Sequence, residues 1–236
     1  RHPQGRALTW WRAGAQCGWT WRELDRAADR VARNLWRRGM VQGQVVALWS
    51  ANLPELVALM WGIWRAGLVA APAHPRWTRA EFADFCAQAD PKLVATDGDH
   101  PWPDAFAVTE LLAWARSGVP SQRRPNWRHA RWDQTEPAAL VATSGTTGRP
   151  KLVALTARNL AAAAFAHWQC DQPQAGDRWL VPLPLCHVAG LAALWRCAAA
   201  GVELVLPAGG DSAALDAALR DRPCSLASLV PTQLHR

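Results

Sequence analysis

The 236-residue sequence has no tyrosine and only two lysines, although it carries 16 tryptophans and a formal net charge of +7. The positive charge therefore comes almost entirely from arginine. Arginine beside abundant tryptophan and alanine indicates a compositional bias rather than a selected basic patch. Such charge attracts small anions, but no recognised nucleic-acid-binding module accompanies it, and we expect no nucleic acid as a partner.

Long apolar runs, a signal peptide and paired cysteines are also lacking. The longest apolar candidate, residues 53–73, is interrupted by proline, glycine and charged residues, so we expect no membrane span. The N-terminus carries no signal-peptide pattern. The six cysteines include no C-x-x-C pair, which argues against a zinc site and a disulfide framework. We therefore predict a cytoplasmic protein and assign no metal ligand.

Helical patterns alternate with short apolar strands through the first half of the chain. Thr20 with Glu23, and Thr78 with Glu81, form capping boxes at the starts of two helices. Another helix is predicted over residues 54–65, and the predicted strands cover residues 45–49, 68–71 and 92–96. This order predicts an α/β fold with layered, largely parallel sheets and helices on both faces.

A polar stretch between residues 116 and 135 interrupts the apolar pattern and is typical of a linker. We therefore predict a first α/β subdomain over residues 1–133 and a second over residues 134–236. Further helices are predicted over residues 156–168 and 212–220, and further strands over residues 179–182, 202–206 and 225–230. Thr232 follows the last strand, at the sheet edge where open α/β sheets bind ligands.

A loop rich in hydroxyl groups and glycine lies between two apolar runs, residues 138–142 and 152–155, which predict a hairpin-like pair of strands. Its hydroxyl and N–H donors, with glycine where the backbone must come close, are typical of a phosphate cradle. A strand follows the loop and Pro150 precedes its lysine, which excludes a Walker-type P-loop. A polar surface turn is the alternative. The candidate phosphate-binding residues are Thr143, Ser144, Gly145, Thr146, Thr147, Gly148 and Lys151.

Two polar side chains stand out in the apolar sequence after the loop. His187 lies in the apolar segment 182–191, where a lone histidine is either a hydrogen-bonded core residue or a functional group. Arg196 is the one charge in the helix-length segment 191–198, and it needs an anionic partner or a path to solvent. Two interpretations of Arg196 are open. Its charged end reaches solvent near the end of a helix, or its guanidinium binds a carboxylate through paired hydrogen bonds.

The loop from Thr143 to Lys151 resembles the signature of the adenylate-forming superfamily, which includes acyl-CoA synthetases, luciferases and peptide-synthetase adenylation domains. Leu152 stands where that signature usually has glycine. The Pro-Leu-x-His-x-x-Gly pattern of residues 184–190 resembles the same superfamily. The resemblance implies the N-terminal part of an adenylate-forming enzyme fold, with ATP and Mg²⁺ as cofactors and CoA as co-substrate. It also implies catalytic roles for Lys151 and His187, the histidine lining the acyl pocket.

Residues 179–196 and 227–234 resemble in particular bacterial o-succinylbenzoate-CoA ligase of menaquinone synthesis. That resemblance implies activation of o-succinylbenzoate as an acyl-adenylate and transfer of the acyl group to CoA. Arg196 would anchor the ring carboxylate of this small-molecule substrate. Ala189 departs from the serine found in some relatives. The substrate-binding residues implied are His187, Ala189, Gly190, Arg196 and Thr232.

Members of this family continue past the matched motifs, with elements for adenine, ribose and magnesium and a small C-terminal domain carrying a catalytic lysine. Lys92 precedes the loop and Lys151 lies in it, so neither corresponds to that lysine, and we expect the isolated fragment to be inactive. The alternatives are an aryl- or fatty-acyl-CoA ligase and a non-catalytic nucleotide-binding fragment. A fatty-acid pocket gains nothing from a buried cation, so Arg196 discriminates between acyl groups. Homo-oligomerisation stays open.

Overall fold

The computed structural model describes residues 3–113, 135–143, 150–209, 211–221 and 223–234. Within these ranges the chain forms a mixed α/β structure. The helices are α1 (Trp21–Arg37), α2 (Pro54–Arg65), α3 (Arg79–Ala89), α4 (Val108–Ala113), α5 (Ala157–Asp171), α6 (Val188–Ala200), α7 (Ser212–Asp221) and α8 (Pro231–Leu234). The strands are β1 (Arg6–Arg12), β2 (Ala15–Thr20), β3 (Val45–Trp49), β4 (Val69–Ala73), β5 (Leu93–Thr96), β6 (Phe106–Ala107), β7 (Pro137–Thr143), β8 (Lys151–Thr156), β9 (Arg178–Leu180), β10 (Glu203–Val205) and β11 (Leu226–Ala227).

The chain divides into two compact units by its contacts. One, the continuous unit, comprises Arg26–Arg158, and the other, the discontinuous unit, combines Arg1–Asp25 with Asn159–Arg236. The predicted subdomain boundary at residues 133/134 lies outside the described residues. Strands β7 and β8, which we predicted in the second subdomain, belong to the continuous unit because β7 pairs with β4.

The continuous unit contains a six-stranded sheet in the order β6-β5-β3-β4-β7-β8. Its first five strands run parallel, and β8 closes the sheet as the antiparallel partner of β7. Helix α2 links β3 to β4 and α3 links β4 to β5, the crossover connections expected between parallel strands. The predicted α/β class with largely parallel sheets is confirmed.

Local signals set the helix starts as expected. The Thr78 hydroxyl accepts from the backbone N–H of Glu81, and the Glu81 carboxylate accepts from Thr78, so the capping box is complete. Thr20 and Glu23 make the same reciprocal pair at the start of α1. Pro54 opens α2 at a position where a backbone N–H has no helical partner to lose.

One hydrophobic core cluster of the continuous unit packs against β3 and β4 and includes Trp49, Phe82 and Phe85. Trp49 stacks on Phe82 with ring centroids 4.4 Å apart, and Phe82 lies edge-to-face with Trp102 at 4.8 Å. Burying aromatic rings of this size contributes a large share of core stability. Leu140 and Leu152, on either side of the predicted phosphate loop, pack against this cluster.

The discontinuous unit contains a five-stranded sheet in the order β11-β9-β10-β1-β2. Strand β1 pairs in parallel with β10 and antiparallel with β2, so the first strand of the chain joins strands from its far end. The β1–β2 hairpin was not predicted from the sequence. The strand predicted over 225–230 is shorter than expected, since only β11 is extended and α8 follows it. Among the described residues, no helix combines the length and apolarity needed to cross a bilayer.

Candidate active site

The β7–β8 hairpin of the continuous unit brings the two ends of the predicted phosphate loop together. Thr143 and Lys151 are direct partners in its register, and the Thr143 hydroxyl donates to the Lys151 carbonyl oxygen at 3.2 Å. Both residues are exposed. A hydroxyl and an ammonium group are thus held side by side at the end of a hairpin. The other predicted loop residues, Ser144, Gly145, Thr146, Thr147 and Gly148, lie outside the described residues.

Packing and hydrogen bonds fix this hairpin to the sheet. The indole N–H of Trp64, on α2, donates to the Ala138 carbonyl oxygen at 2.9 Å. Strand β7 also runs parallel to β4, with Ala139 opposite Ala70. The loop therefore starts at the carboxyl edge of the parallel strands, which is where open α/β sheets bind ligands.

A histidine that we did not single out from the sequence lies at the same edge. His100 Nε2 is 2.6 Å from the Pro75 carbonyl oxygen, and its Nδ1 contacts the Asp97 carboxylate. Asp97 also accepts from the backbone N–H of Ala51 at 2.7 Å, which connects the ends of β3 and β5. Burial disfavours the imidazolium, but the hydrogen bonds with Asp97 and Pro75 outweigh burial, so the pKa of His100 is raised. Each ring nitrogen faces an acceptor, and the geometry therefore fits the doubly protonated ring.

The site in the discontinuous unit is centred on Arg196 of α6. Its side chain runs back along the helix, the usual direction for long helical side chains, and Nη2 donates to the Ala189 carbonyl oxygen at 3.1 Å. Nη1 lies 3.0 Å from His167 Nε2, and the guanidinium carbon lies 5.1 Å from the ring centroid of Trp179. Only 8% of the residue is exposed, so the guanidinium does not snorkel to solvent.

The charge on Arg196 is held by neutral neighbours. The two hydrogen-bond acceptors are an imidazole and a carbonyl group, and Nε is buried with no acceptor among the described residues. Burial lowers the pKa of the guanidinium, although the charge of Asp171 opposes this effect. An arginine stays protonated in proteins nonetheless. Arg196 is therefore a buried cation whose Nε–H can still donate a hydrogen bond to an anion.

The first turn of α6 contains three other predicted substrate-binding residues. His187 is the N-cap residue, and it and Ala189 are exposed. A Cβ on Gly190 would lie 2.3 Å from the Pro184 carbonyl oxygen, so only glycine lets the helix start this close to the preceding segment. Burial raises the pKa of the neighbouring Cys186 to about 12, so this thiol is protonated at neutral pH and is no nucleophile.

Thr232 lies on α8 and is exposed. Strand β11, which precedes it, pairs with β9, and the indole N–H of Trp179 donates to the Ser228 hydroxyl at 2.9 Å. Trp179 is thereby fixed between the β11 connection and the guanidinium of Arg196. The structure thus places His187, Ala189, Gly190 and Arg196 on one helix and its N-cap.

His167 and Asp171 were missed by the sequence reasoning. They lie one turn apart on α5, and His167 Nδ1 is 2.9 Å from the Asp171 carboxylate. The predicted helix ended at Trp168, whereas α5 continues to Asp171. The sequence does show a histidine and an aspartate at i, i+4 spacing, which favours contact on a helix. Because the predicted helix ended before Asp171, this pair was not recognised.

Comparison with known proteins gives one family for the whole chain. The family model described as AMP-binding enzyme matches residues 1–236. A 2-succinylbenzoate–CoA ligase of Escherichia coli (strain K12) is 29% identical over 217 residues, covering 92% of this chain and 45% of the relative. An oxalate–CoA ligase of Arabidopsis thaliana is 33% identical over 202 residues, covering 79% of this chain and 39% of the relative. The chain thus spans less than half the length of these relatives.

Solved structures share the fold. The o-succinylbenzoate coenzyme A synthetase of Bacillus subtilis in complex with AMP superposes with a TM-score of 0.86 at 23% identity, over 99% of this chain and 60% of that one. A fatty acyl CoA synthetase of Mycobacterium tuberculosis gives a TM-score of 0.80 at 24% identity, over 99% of this chain and 47% of that one. At these identities the likeness concerns the fold, which matches the N-terminal part of such enzymes.

Proposed function

Since the chain belongs to the AMP-binding enzyme family, whose members form acyl-adenylates, we propose that it is the N-terminal part of an ATP-dependent acid-thiol ligase for o-succinylbenzoate. The complete enzyme would join the succinyl carboxylate to AMP, release pyrophosphate, and then transfer the acyl group to CoA. This assigns it to menaquinone biosynthesis in the cytoplasm. That the isolated chain is inactive stays a prediction.

The continuous unit would bind the phosphates of ATP. Lys151 presents an ammonium charge directly opposite Thr143, whose hydroxyl donates to the Lys151 carbonyl oxygen and so holds the end of the hairpin, and an ammonium group fits phosphate oxygens. Lys151 would neutralise charge on the departing pyrophosphate, and positioned charges of this kind carry much of the catalysis of phosphate chemistry. Mg²⁺ accompanies ATP in a solved Bacillus subtilis relative, and bound metal of this kind neutralises phosphate charge. We assign the metal no ligand among the described residues.

The observation that carries the substrate assignment is the buried guanidinium of Arg196. The substrate o-succinylbenzoate has two carboxylates, one to be activated and one on the ring that needs a cationic anchor. Among the described residues, Arg196 has no carboxylate as a direct hydrogen-bond partner, and its Nε–H keeps a donor for one. Oxalate, in the name of the Arabidopsis relative, is likewise a diacid. A fatty-acyl ligase is disfavoured, because a hydrocarbon tail leaves a buried cation without compensation.

The test replaces Arg196 by leucine in the intact enzyme and compares two acids. One acid is o-succinylbenzoate, and the other, 4-oxo-4-phenylbutanoate, lacks the ring carboxylate. We expect Arg196→Leu to raise the KM for o-succinylbenzoate roughly 100-fold, because a charge-assisted hydrogen-bonded pair is lost. The KM for the analogue, already high in the parent, should change little, and ATP affinity should stay the same.

Arg220→Leu is the matched control, because Arg220 lies on α7 with its side chain 82% exposed beside Asp216. It should behave like the parent with both acids. Equal losses towards both acids in Arg196→Leu, or a lower melting temperature as the main effect, would mean that Arg196 is structural. The substrate would then be an unspecified carboxylic acid.

A further inference from the structure

The guanidinium of Arg196 is the end of a hydrogen-bonded chain that begins on another helix. Asp171 contacts His167 Nδ1 at 2.9 Å, and His167 Nε2 contacts Arg196 Nη1 at 3.0 Å. His167 also lies edge-to-face with Trp179, with ring centroids 6.0 Å apart. Four side chains, from α5, β9 and α6, therefore converge within the discontinuous unit.

The chemistry of the groups fixes the protons in this chain. A guanidinium only donates hydrogen bonds, so His167 Nε2 must accept from Arg196. The proton of a neutral imidazole then lies on Nδ1, where it donates to the Asp171 carboxylate. Asp171 therefore selects the one tautomer of His167 that can hold Arg196, as carboxylates do for histidines in other sites.

We propose that His167, oriented by Asp171, is a positioning residue that aims the Arg196 guanidinium at the second carboxylate of the acid substrate. The proposal rests on the proposed function, because it requires Arg196 to be the acid-binding group. His167 does not touch the acid in this account. His167 contacts Nη1, the Ala189 carbonyl oxygen accepts from Nη2, and Nε has no hydrogen-bond partner among the described residues, which leaves it to donate to the acid.

The hydrogen-bonded chain reaches the protein surface at His167. The His167 side chain is 47% exposed, whereas Arg196 is buried, so solvent reaches the imidazole directly. The charged groups that face His167 in the described residues are Asp171 on its own helix and Arg196 on α6, and Trp179 of β9 is neutral. Loss of the Nε2 acceptor would therefore leave Arg196 Nη1 without its histidine partner.

Nuclear magnetic resonance of the 236-residue chain tests the tautomer without any activity. Long-range nitrogen–proton spectra should show Nε2 of His167 unprotonated and Nδ1 protonated at neutral pH. The Nε2 resonance should shift in Arg196→Leu, because the donor is gone. A protonated Nε2, or an Nε2 resonance unchanged in that variant, would overturn the proposal whatever the substrate is.

Kinetics of the intact enzyme test the consequence. His167→Leu should raise the KM for o-succinylbenzoate on the order of tenfold, with a much smaller change in kcat, because one hydrogen bond to a charged group is lost. His167→Gln, whose amide oxygen accepts but does not titrate, should recover most of that loss. The KM for 4-oxo-4-phenylbutanoate should be insensitive to both changes.

The pattern of KM changes separates positioning from a structural role. A structural role predicts similar losses in His167→Leu and His167→Gln, whereas positioning predicts recovery in the glutamine variant, because its amide oxygen can accept from Arg196. An unchanged KM in His167→Leu while Arg196→Leu is impaired would overturn the proposal and leave the proposed function intact. If the parent enzyme does not use o-succinylbenzoate, the proposed function is wrong. The nuclear magnetic resonance spectra would then test by themselves whether His167 accepts a hydrogen bond from Arg196.

Discussion

Single residues in this protein hold charge in places where burial makes charge costly. Arg196 keeps its guanidinium among neutral acceptors, and His100 places both ring nitrogens against oxygen acceptors. The two cases differ in what balances the charge. A carboxylate contacts His100 directly, whereas the carboxylate nearest Arg196 acts through His167. His100 is thus satisfied within the protein, and Arg196 keeps donor capacity for a ligand.

The raised pKa of His100 predicts a pH-dependent stability. A group whose pKa is raised on folding stabilises the folded state fully below its unfolded value, here the ordinary 6.5, and that stabilisation is lost as pH rises through the folded value. The free energy of unfolding should therefore fall as pH rises above about 6.5. His100→Gln keeps a donor for the Pro75 carbonyl but does not titrate, so urea denaturation should show a flatter profile. A variant profile as steep as that of the parent would contradict the assignment.

Gly190 gives a steric prediction at the same scale. In Gly190→Ala the new Cβ would lie 2.3 Å from the Pro184 carbonyl oxygen, so the start of α6 must shift. We expect a loss of about 1–3 kcal/mol in the free energy of unfolding, as for other overpacked sites. Gly98→Ala is the control, because no atom lies within 4 Å of the added Cβ. Equal stability of the two variants in thermal or urea denaturation would argue against this close approach.

Among the elements, the β7–β8 hairpin has the most direct link to function. Its register holds Lys151 opposite Thr143, and Trp64 and the core cluster fix its base. The loop is therefore carried by a firmly packed element. A lysine held in this way can place its charge reproducibly on a bound phosphate.

Lys151→Ala in the intact enzyme should slow acid-dependent exchange of labelled pyrophosphate into ATP by on the order of 10²-fold, the usual cost of one such electrostatic contact. Lys92→Ala is a matched control, since Lys92 is the other lysine of the chain and pairs with Asp90 at the surface. It should exchange at the parent rate. If both variants exchange at that rate, Lys151 is an ordinary surface residue.

The sequence predicted the helices and strands that depend on neighbouring residues, such as capping boxes and short apolar runs. The two capping boxes, Pro54 and the apolar run of β3 all placed their elements within a few residues. Strand β1 was missed although its main partner is the neighbouring strand β2, across a turn in which Ala13 and Gly14 have positive φ. Its second pairing, with β10 from the far end of the chain, has no local pattern that could have predicted it. The same holds for the site: the sequence pointed to Arg196, but only the fold shows that His167 and Trp179 hold it.

At the scale of the whole molecule, the chain is built from two units with separate proposed roles. The continuous unit carries the ends of the proposed phosphate loop, and the discontinuous unit carries Arg196 and the first turn of α6. The predicted division into consecutive subdomains differs from this grouping, because the first strand of the chain joins the second sheet. The matched part is 45% of the length of the Escherichia coli relative, so the proposed reaction belongs to the complete enzyme.

The central claim is that the complete enzyme activates o-succinylbenzoate, an aromatic acid with a second carboxylate. The most direct test measures the exchange of labelled pyrophosphate into ATP with each of three acids, o-succinylbenzoate, oxalate and palmitate. This exchange requires formation of the acyl-adenylate but not transfer to CoA. We predict exchange with o-succinylbenzoate at least about tenfold faster than with either other acid, equivalent to a preference of about 1.4 kcal/mol or more. Exchange that is equally fast with palmitate, or absent with o-succinylbenzoate, would contradict the account.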